Sequence, residues 1–128
     1  MAREITTRTE RIWLGEDGIV RSIHLPGAEQ TLADAVENLR AVEALLPQGR
    51  RSPILVDSRG LASMTREARA YYAGPELARL AVALAIVGGS PVSRMIGSFF
   101  LRLSRPAVPT RLCTDEADAL AWLRGYLP

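Results

Sequence analysis

Two short apolar-rich runs, residues 9–14 (TERIWL) and 19–25 (IVRSIHL), lie either side of Gly15-Glu16-Asp17-Gly18. Two glycines in four residues between such runs predict a β-hairpin. Pro26-Gly27 ends its second strand, and the period then changes. Leu32, Val36, Leu39, Val42 and Leu46 recur at spacings of three and four, with Glu37, Arg40 and Glu43 on the other side, which predicts a helix from Leu32 to Leu46. Thr31 caps it, Asp34 completes a capping-box pattern, and Pro47-Gln48-Gly49 stops it. Pro53 to Asp57 reads as a short buried strand. Thr65 then caps a second helix, Arg66 to Ala73, with Glu67 in its first turn, and Gly74-Pro75 terminates it.

Leu80 to Val87 (LAVALAIV) is an uninterrupted apolar run of strand length, suited to a central strand covered on both faces. Gly88-Gly89-Ser90-Pro91 turns the chain into a third helix, Pro91 to about Leu103. Thr110 to Cys113 forms a last strand, and Thr114 caps a closing helix from Asp115 to Leu127. Strands that alternate with helices after an initial hairpin predict an α/β fold: a mostly parallel sheet of about five strands with four helices. The absence of a linker or repeat predicts one domain over residues 1–128.

Composition narrows the chemistry. At 128 residues and 48% hydrophobic, the chain can bury a core without staples. One cysteine and one histidine exclude an intramolecular disulfide and any multi-histidine metal site. All 16 basic residues are arginine, so Schiff-base lysine chemistry and a P-loop lysine are absent. The net charge is +2, and arginines and acids interleave with no like-charge run longer than Arg50-Arg51, which argues against nucleic-acid binding. A polar N-terminus shows no cleavable signal, and the eight-residue apolar run is far short of the ~20 that cross a bilayer. The expected location is cytoplasmic, with peripheral contact to the inner membrane face as an alternative.

No motif of catalysis stands out. His24 lies in a strand among apolar neighbours and reads as structural. Cys113 reads as a small core residue rather than a reactive thiol. Asp115, Glu116 and Asp118 occupy the first turn of a helix, where acids serve the dipole. GxSxG, Walker A and GxGxxG patterns are missing. A non-enzymatic protein without cofactor or metal is expected.

Three segments are candidates for binding. In the turn into the third helix, Gly88 and Gly89 permit close approach, while Ser90, Ser93 and Arg94 supply donors for a carboxylate or phosphate. The other reading is a well-capped turn with a surface arginine. Asp57, Ser58 and Arg59 follow the third strand at its carboxyl end, either as ligand contacts or as a pair shaping the loop. The third helix carries Val92, Met95, Ile96, Phe99, Phe100 and Leu103, edged by arginines. Phe99, Phe100, Leu101 and Arg102 are its candidate contacts to a partner or an anionic membrane, the alternative being that most of this face packs on the sheet.

The segments ILVDSRGLASMTREARAYYA, GGSPVSRMIGSFF and PTRLCTDEADALAWL resemble the SpoIIAA-like proteins of the STAS superfamily, over about residues 8–127. That group is also likened to the CRAL-TRIO lipid-transfer fold. The resemblance implies a central sheet of about five strands with helices and a regulatory or protein-interaction role, with a homodimer or another protein as partner. STAS antagonists of anti-sigma factors carry a phosphorylatable serine where the second helix opens. Here Thr65-Arg66-Glu67-Ala68 stands there, so Arg66 and Glu67 leave the family's acceptor position empty. The lipid-transfer likeness implies the alternative function, binding a lipid-like or anionic small molecule. A cavity lined by Met95, Phe99 and Leu84 would favour that alternative, and a filled core the interaction module.

Overall fold

In the computed structural model, which describes residues 3–128, the hairpin forms where the glycines predict it. A short strand β1 (Glu4–Thr6), not signalled by the sequence pattern, pairs antiparallel with β2 (Glu10–Leu14). β2 in turn pairs antiparallel with β3 (Val20–His24), so that Glu10 stands opposite His24 and Ile12 opposite Ser22. The intervening turn is held by Asp17, which pairs with Arg21 at 2.8 Å and accepts from the Ile19 N–H. The Arg21 hydrogen bonds bring the Asp17 carboxyl down to about 2.

Beyond β3 the chain forms β4 (Ala28–Gln30), α1 (Leu32–Leu45), β5 (Ser52–Asp57), β6 (Leu61–Met64) and α2 (Arg66–Ala73). It continues through α3 (Pro75–Leu80), β7 (Ala81–Val87), α4 (Pro91–Phe99), β8 (Thr110–Cys113) and α5 (Glu116–Arg124). Six strands make the main sheet in the order β1-β2-β3-β5-β7-β8, parallel from β3 onward, while β4 and β6 pair with each other outside it.

Alternation gives this sheet two distinct faces. The register puts Glu10, Ile12, Ser22, His24, Ile54, Val56, Leu84 and Ile86 on one of them, where the first four helices pack. Leu55, Ala83, Ala85, Val87 and Cys113 point the other way, against Ala119 and Leu123 of α5. β7 is buried on both sides, which is what its unbroken apolar run requires.

Several boundaries differ from expectation. Thr31 and Asp34 form the predicted capping box, and Arg8 grips Asp34 with two nitrogens at 2.7 and 2.5 Å. The buried face of α1, however, centres on Ala35, Asn38, Leu39 and Val42, and Leu32 is left exposed. Leu39, Val42 and Leu46 of the predicted face are buried, so the departure is confined to the first turns, where Ala35 and Asn38 take the inner side. Gly74-Pro75 ends α2 but also opens α3, since proline suits a first helical position. Leu80 therefore closes that helix and the strand starts at Ala81. α4 runs on as a π-helical segment, Phe100–Ser104, ended by Arg105 at φ 49°. Asp115, not Thr114, caps α5, because its carboxylate accepts the Asp118 N–H at 2.8 Å. Among the described residues no helix is long and apolar enough to cross a membrane.

Candidate functional site

The space between the sheet and its helical cover is incompletely filled. A cavity of about 80 Å³ lies there, walled by Leu39 and Val42 of α1, Leu84 and Ile86 of the sheet, and Ile96 and Phe100. That is the volume of roughly three liquid waters. The surrounding surface is nearly all carbon, with Glu10, Ser22, His24, Asn38 and Tyr72 gathered at one end.

Those polar side chains form a buried network centred on Glu10. Ser22 Oγ donates to Glu10 Oε1, while Gln30 Nε2 and Asn38 Nδ2 donate to Oε2 at 2.5 and 2.8 Å. His24 Nε2 lies 3.3 Å from the same Oε2. Tyr72 donates its hydroxyl proton to Gln30 Oε1 at 2.7 Å and accepts from Asn38 Nδ2 at 3.1 Å. Thr7 Oγ1 anchors the far side of Asn38 at 2.6 Å.

The electrostatics follow from burial and from these donors. Burial alone pushes the Glu10 carboxyl upward, but His24, Ser22 and Gln30 outweigh it and hold the group below its ordinary range. Glu10 is thus a carboxylate in the interior, stabilised by groups from β3, β4 and α1. Burial, reinforced by the Glu10 charge, drives the Tyr72 phenol well above its usual value, so it remains a neutral donor. One atom stands apart: His24 Nδ1 is the buried side-chain nitrogen or oxygen without a hydrogen-bond partner among the described residues. Such an orphan is uncommon in a folded interior.

Gly60 brings the loop after β5 against this end of the cavity. A methyl group at its Cα would fall 2.6 Å from the His24 carbonyl oxygen and 2.9 Å from that of Leu25. Only a glycine fits so close to the strand backbone.

The segments singled out from sequence are distributed differently. Ser58 is buried, donates to the Val87 carbonyl at 2.8 Å and borders the cavity. Asp57 and Arg59 pair through two bonds of 2.9 and 2.7 Å. Burial raises the Asp57 carboxyl, and the Arg59 bonds more than reverse that. The aliphatic stem of Arg59 lies over Gly89, where a Cβ would meet it at 2.7 Å. Gly88 leads into Ser90 and Ser93, whose hydroxyls cap each other's backbone N–H groups at 3.0 and 3.2 Å. Their capacity is therefore engaged within the turn, although Ser93 also borders the cavity, and Arg94 points to solvent.

In α4 and its π-helical continuation Phe100 is buried and walls the cavity instead of facing outward with Phe99 and Arg102, and Leu101 is half-buried. Met95 and Phe99 are exposed and do not line the cavity, whereas Leu84 does. Thr65 caps α2 as expected, and Arg66 and Glu67 are exposed in its first turn. Cys113 is a core residue whose thiol burial pushes upward. No group of three or more His, Cys, Asp or Glu side chains that could hold a metal ion occurs among the described residues.

The polar network itself was not anticipated, but the hairpin contained its signal. Alternation from Ile12 and Val20 puts Glu10, Ser22 and His24 on the inward face, where three polar side chains need an explanation.

No curated protein matches the chain. A solved structure from Shewanella loihica PV-4, an uncharacterised DUF3478-family protein with a SpoIIAA-like fold, is similar with a TM-score of 0.54. It is 14% identical, and the match covers 96% of this chain and 92% of that one, so the likeness establishes the SpoIIAA-like fold. A protein with unknown function from Arthrobacter sp. FB24 is 39% identical over 88% of this chain and 96% of its own, with a TM-score of 0.35. A family model described as "Domain of unknown function (DUF7793)" matches residues 12–127, and the chain accordingly belongs to that family.

Proposed function

We propose that this protein is a non-enzymatic binding module whose cavity takes up a small, neutral, mostly apolar molecule, anchored by one polar group at His24. The observation that carries this reading is the cavity itself, apolar along its walls and ending at the polar cluster of Glu10, Ser22, His24, Asn38 and Tyr72. An empty space of about 80 Å³ forfeits packing at roughly 24 cal/mol per Å³, on the order of 2 kcal/mol, which an occupant recovers. A pure protein-interaction module of this fold would be expected to fill its interior. The Glu10 carboxylate at the polar end repels an anion, and the nearly all-carbon walls disfavour a charge of either sign, so the occupant is neutral. Its size is limited by the volume, so a larger ligand would have to displace α4.

Titration of the isotope-labelled protein with 1-propanol, 2-propanol and propionate, all small enough for the cavity, tests this reading. The alcohols should shift the methyl signals of Leu84 and Ile86 saturably, and propionate should not. Val56→Phe, which extends a side chain into the cavity from β5, should abolish the shifts while the protein still folds. Absence of any shift with either alcohol, or binding that persists in Val56→Phe, would overturn the proposal.

A further inference from the structure

The interleaving of arginines and acids along the chain stops at Glu76. From Leu77 to Thr114 there is no Asp or Glu, while Arg79, Arg94, Arg102, Arg105 and Arg111 all fall within the stretch. α4 and its π-helical continuation occupy the middle of this acid-free segment. Their inner side is small or buried: Ser93, Gly97 and Phe100. Gly97 sits so close to Leu112 that a Cβ would be 3.1 Å from its Cδ1. The bulky residues face out instead. Val92, Met95, Phe99 and Leu103, spaced by three, four and four, are 43%, 51%, 45% and 67% exposed.

The cations around this stripe are not neutralised by acids among the described residues. Arg8, Arg11, Arg21, Arg59 and Arg79 each make an ion pair. Arg69, Arg94, Arg102 and Arg105 make none among the described residues. The Arg69 guanidinium lies over the Phe99 ring, 5.8 Å from its centroid, which ties α2's cation to the apolar stripe.

From this juxtaposition we infer that the outer face of α4 and the π-helical segment docks on an anionic lipid surface. The side chains of Met95, Phe99 and Leu103 would enter the headgroup boundary, and Arg69, Arg94, Arg102 and Arg105 would meet lipid phosphates. A second copy of this chain fits poorly, because a two-fold contact would bring together two copies of the same acid-free, arginine-edged face. The inference is independent of the cavity reading, and the failure of one leaves the other standing.

Sedimentation with vesicles tests it. The protein should pellet with vesicles of phosphatidylglycerol and phosphatidylcholine, much less with phosphatidylcholine alone, and less as salt rises. Each of Arg94→Gln, Arg102→Gln and Arg105→Gln should weaken binding about fivefold, the value of one cation near an anionic leaflet. Met95→Ser with Phe99→Ser should remove binding while the melting temperature stays near wild type, since both side chains are exposed. The proposal is overturned if anionic vesicles do not pellet the protein, or if the double serine variant binds like wild type. It is also overturned if the chain binds polyglutamate but no vesicle, which would indicate an acidic protein partner. Self-association lost in the serine variant, without vesicle binding, would overturn it in favour of a dimer.

Discussion

Replacing Glu10 measures what the buried network contributes. In Glu10→Ala, three donors lose their shared acceptor: Ser22 Oγ, Gln30 Nε2 and Asn38 Nδ2. Asn38 and Gln30 can turn to Thr9 Oγ1, already 3.1 and 3.3 Å away, but Ser22 and the His24 imidazole have no substitute nearby. Each buried polar group left unsatisfied costs about 1 to 3 kcal/mol, so two of them cost on the order of 2 to 6 kcal/mol. That is a large share of the 5 to 15 kcal/mol typical of a domain.

Glu10→Gln should be milder. The amide oxygen can occupy the Oε2 position and keep the Gln30 and Asn38 bonds, and Ser22 can rotate its hydroxyl to accept from the new amide. What is lost is charge assistance, about 1 to 2 kcal/mol. Urea unfolding at pH 7 reads both values from the midpoints, provided the slopes agree.

The pH dependence supplies an independent check. The folded Glu10 carboxyl lies below its ordinary value of 4.5, so its contribution is complete above that value and is lost as pH falls through the folded one. The gap between wild type and Glu10→Gln should therefore narrow below about pH 4.5, since all other carboxylates are common to both. An alanine variant losing under 1 kcal/mol, or a glutamine variant as unstable as alanine, would refute this account of the network.

Three further outcomes are expected. Gly60→Ala should lower stability by about 3 kcal/mol in urea melts, because the new methyl meets backbone oxygens that cannot swing away. Asp34→Ala should cost about 1 kcal/mol through the lost capping box. Arg8 holds the Asp34 carboxyl far below 3.8, so this loss should be full at neutral pH and fade as acid protonates wild type below that value. Cys113 should resist Ellman's reagent in native protein and react on unfolding, because the thiol is buried and its ionisation is disfavoured.

The strands and helices with clear periods or caps were legible from sequence: the hairpin, α1, β5, α2, β7 and β8. Each carries its cause locally, in alternation, an apolar run or a capping threonine. β4 and β6 were not, since three- and four-residue strands that pair only with each other leave no pattern of their own. α3 was hidden because Gly74-Pro75 punctuates in two ways, ending one helix and opening another. The orientation of α4 is ambiguous in the sequence for a related reason. A helix with bulky apolar residues over much of its surface does not say which side turns inward, and the decision fell to Ser93 and Gly97, the small residues that fit against the sheet.

The buried network was the least visible part of the site. Its members lie between Thr7 and Tyr72 and converge only through the sheet register and the packing of α1 and α2. No two of them form a spacing that marks a motif. Knowing the inward face of the hairpin would have exposed Glu10, Ser22 and His24, yet Gln30, Asn38 and Tyr72 needed the fold.

The two ends of the cavity are written in different stretches of the chain. Its polar end comes entirely from the first 72 residues, while Ile96, Gly97 and Phe100 of the opposite wall lie in the last third. Size and anchoring can therefore change separately. A bulkier or smaller residue in α4 would resize the chamber and leave the hydrogen-bonded anchor untouched, so relatives with the same polar end could accept different occupants by altering a single helix.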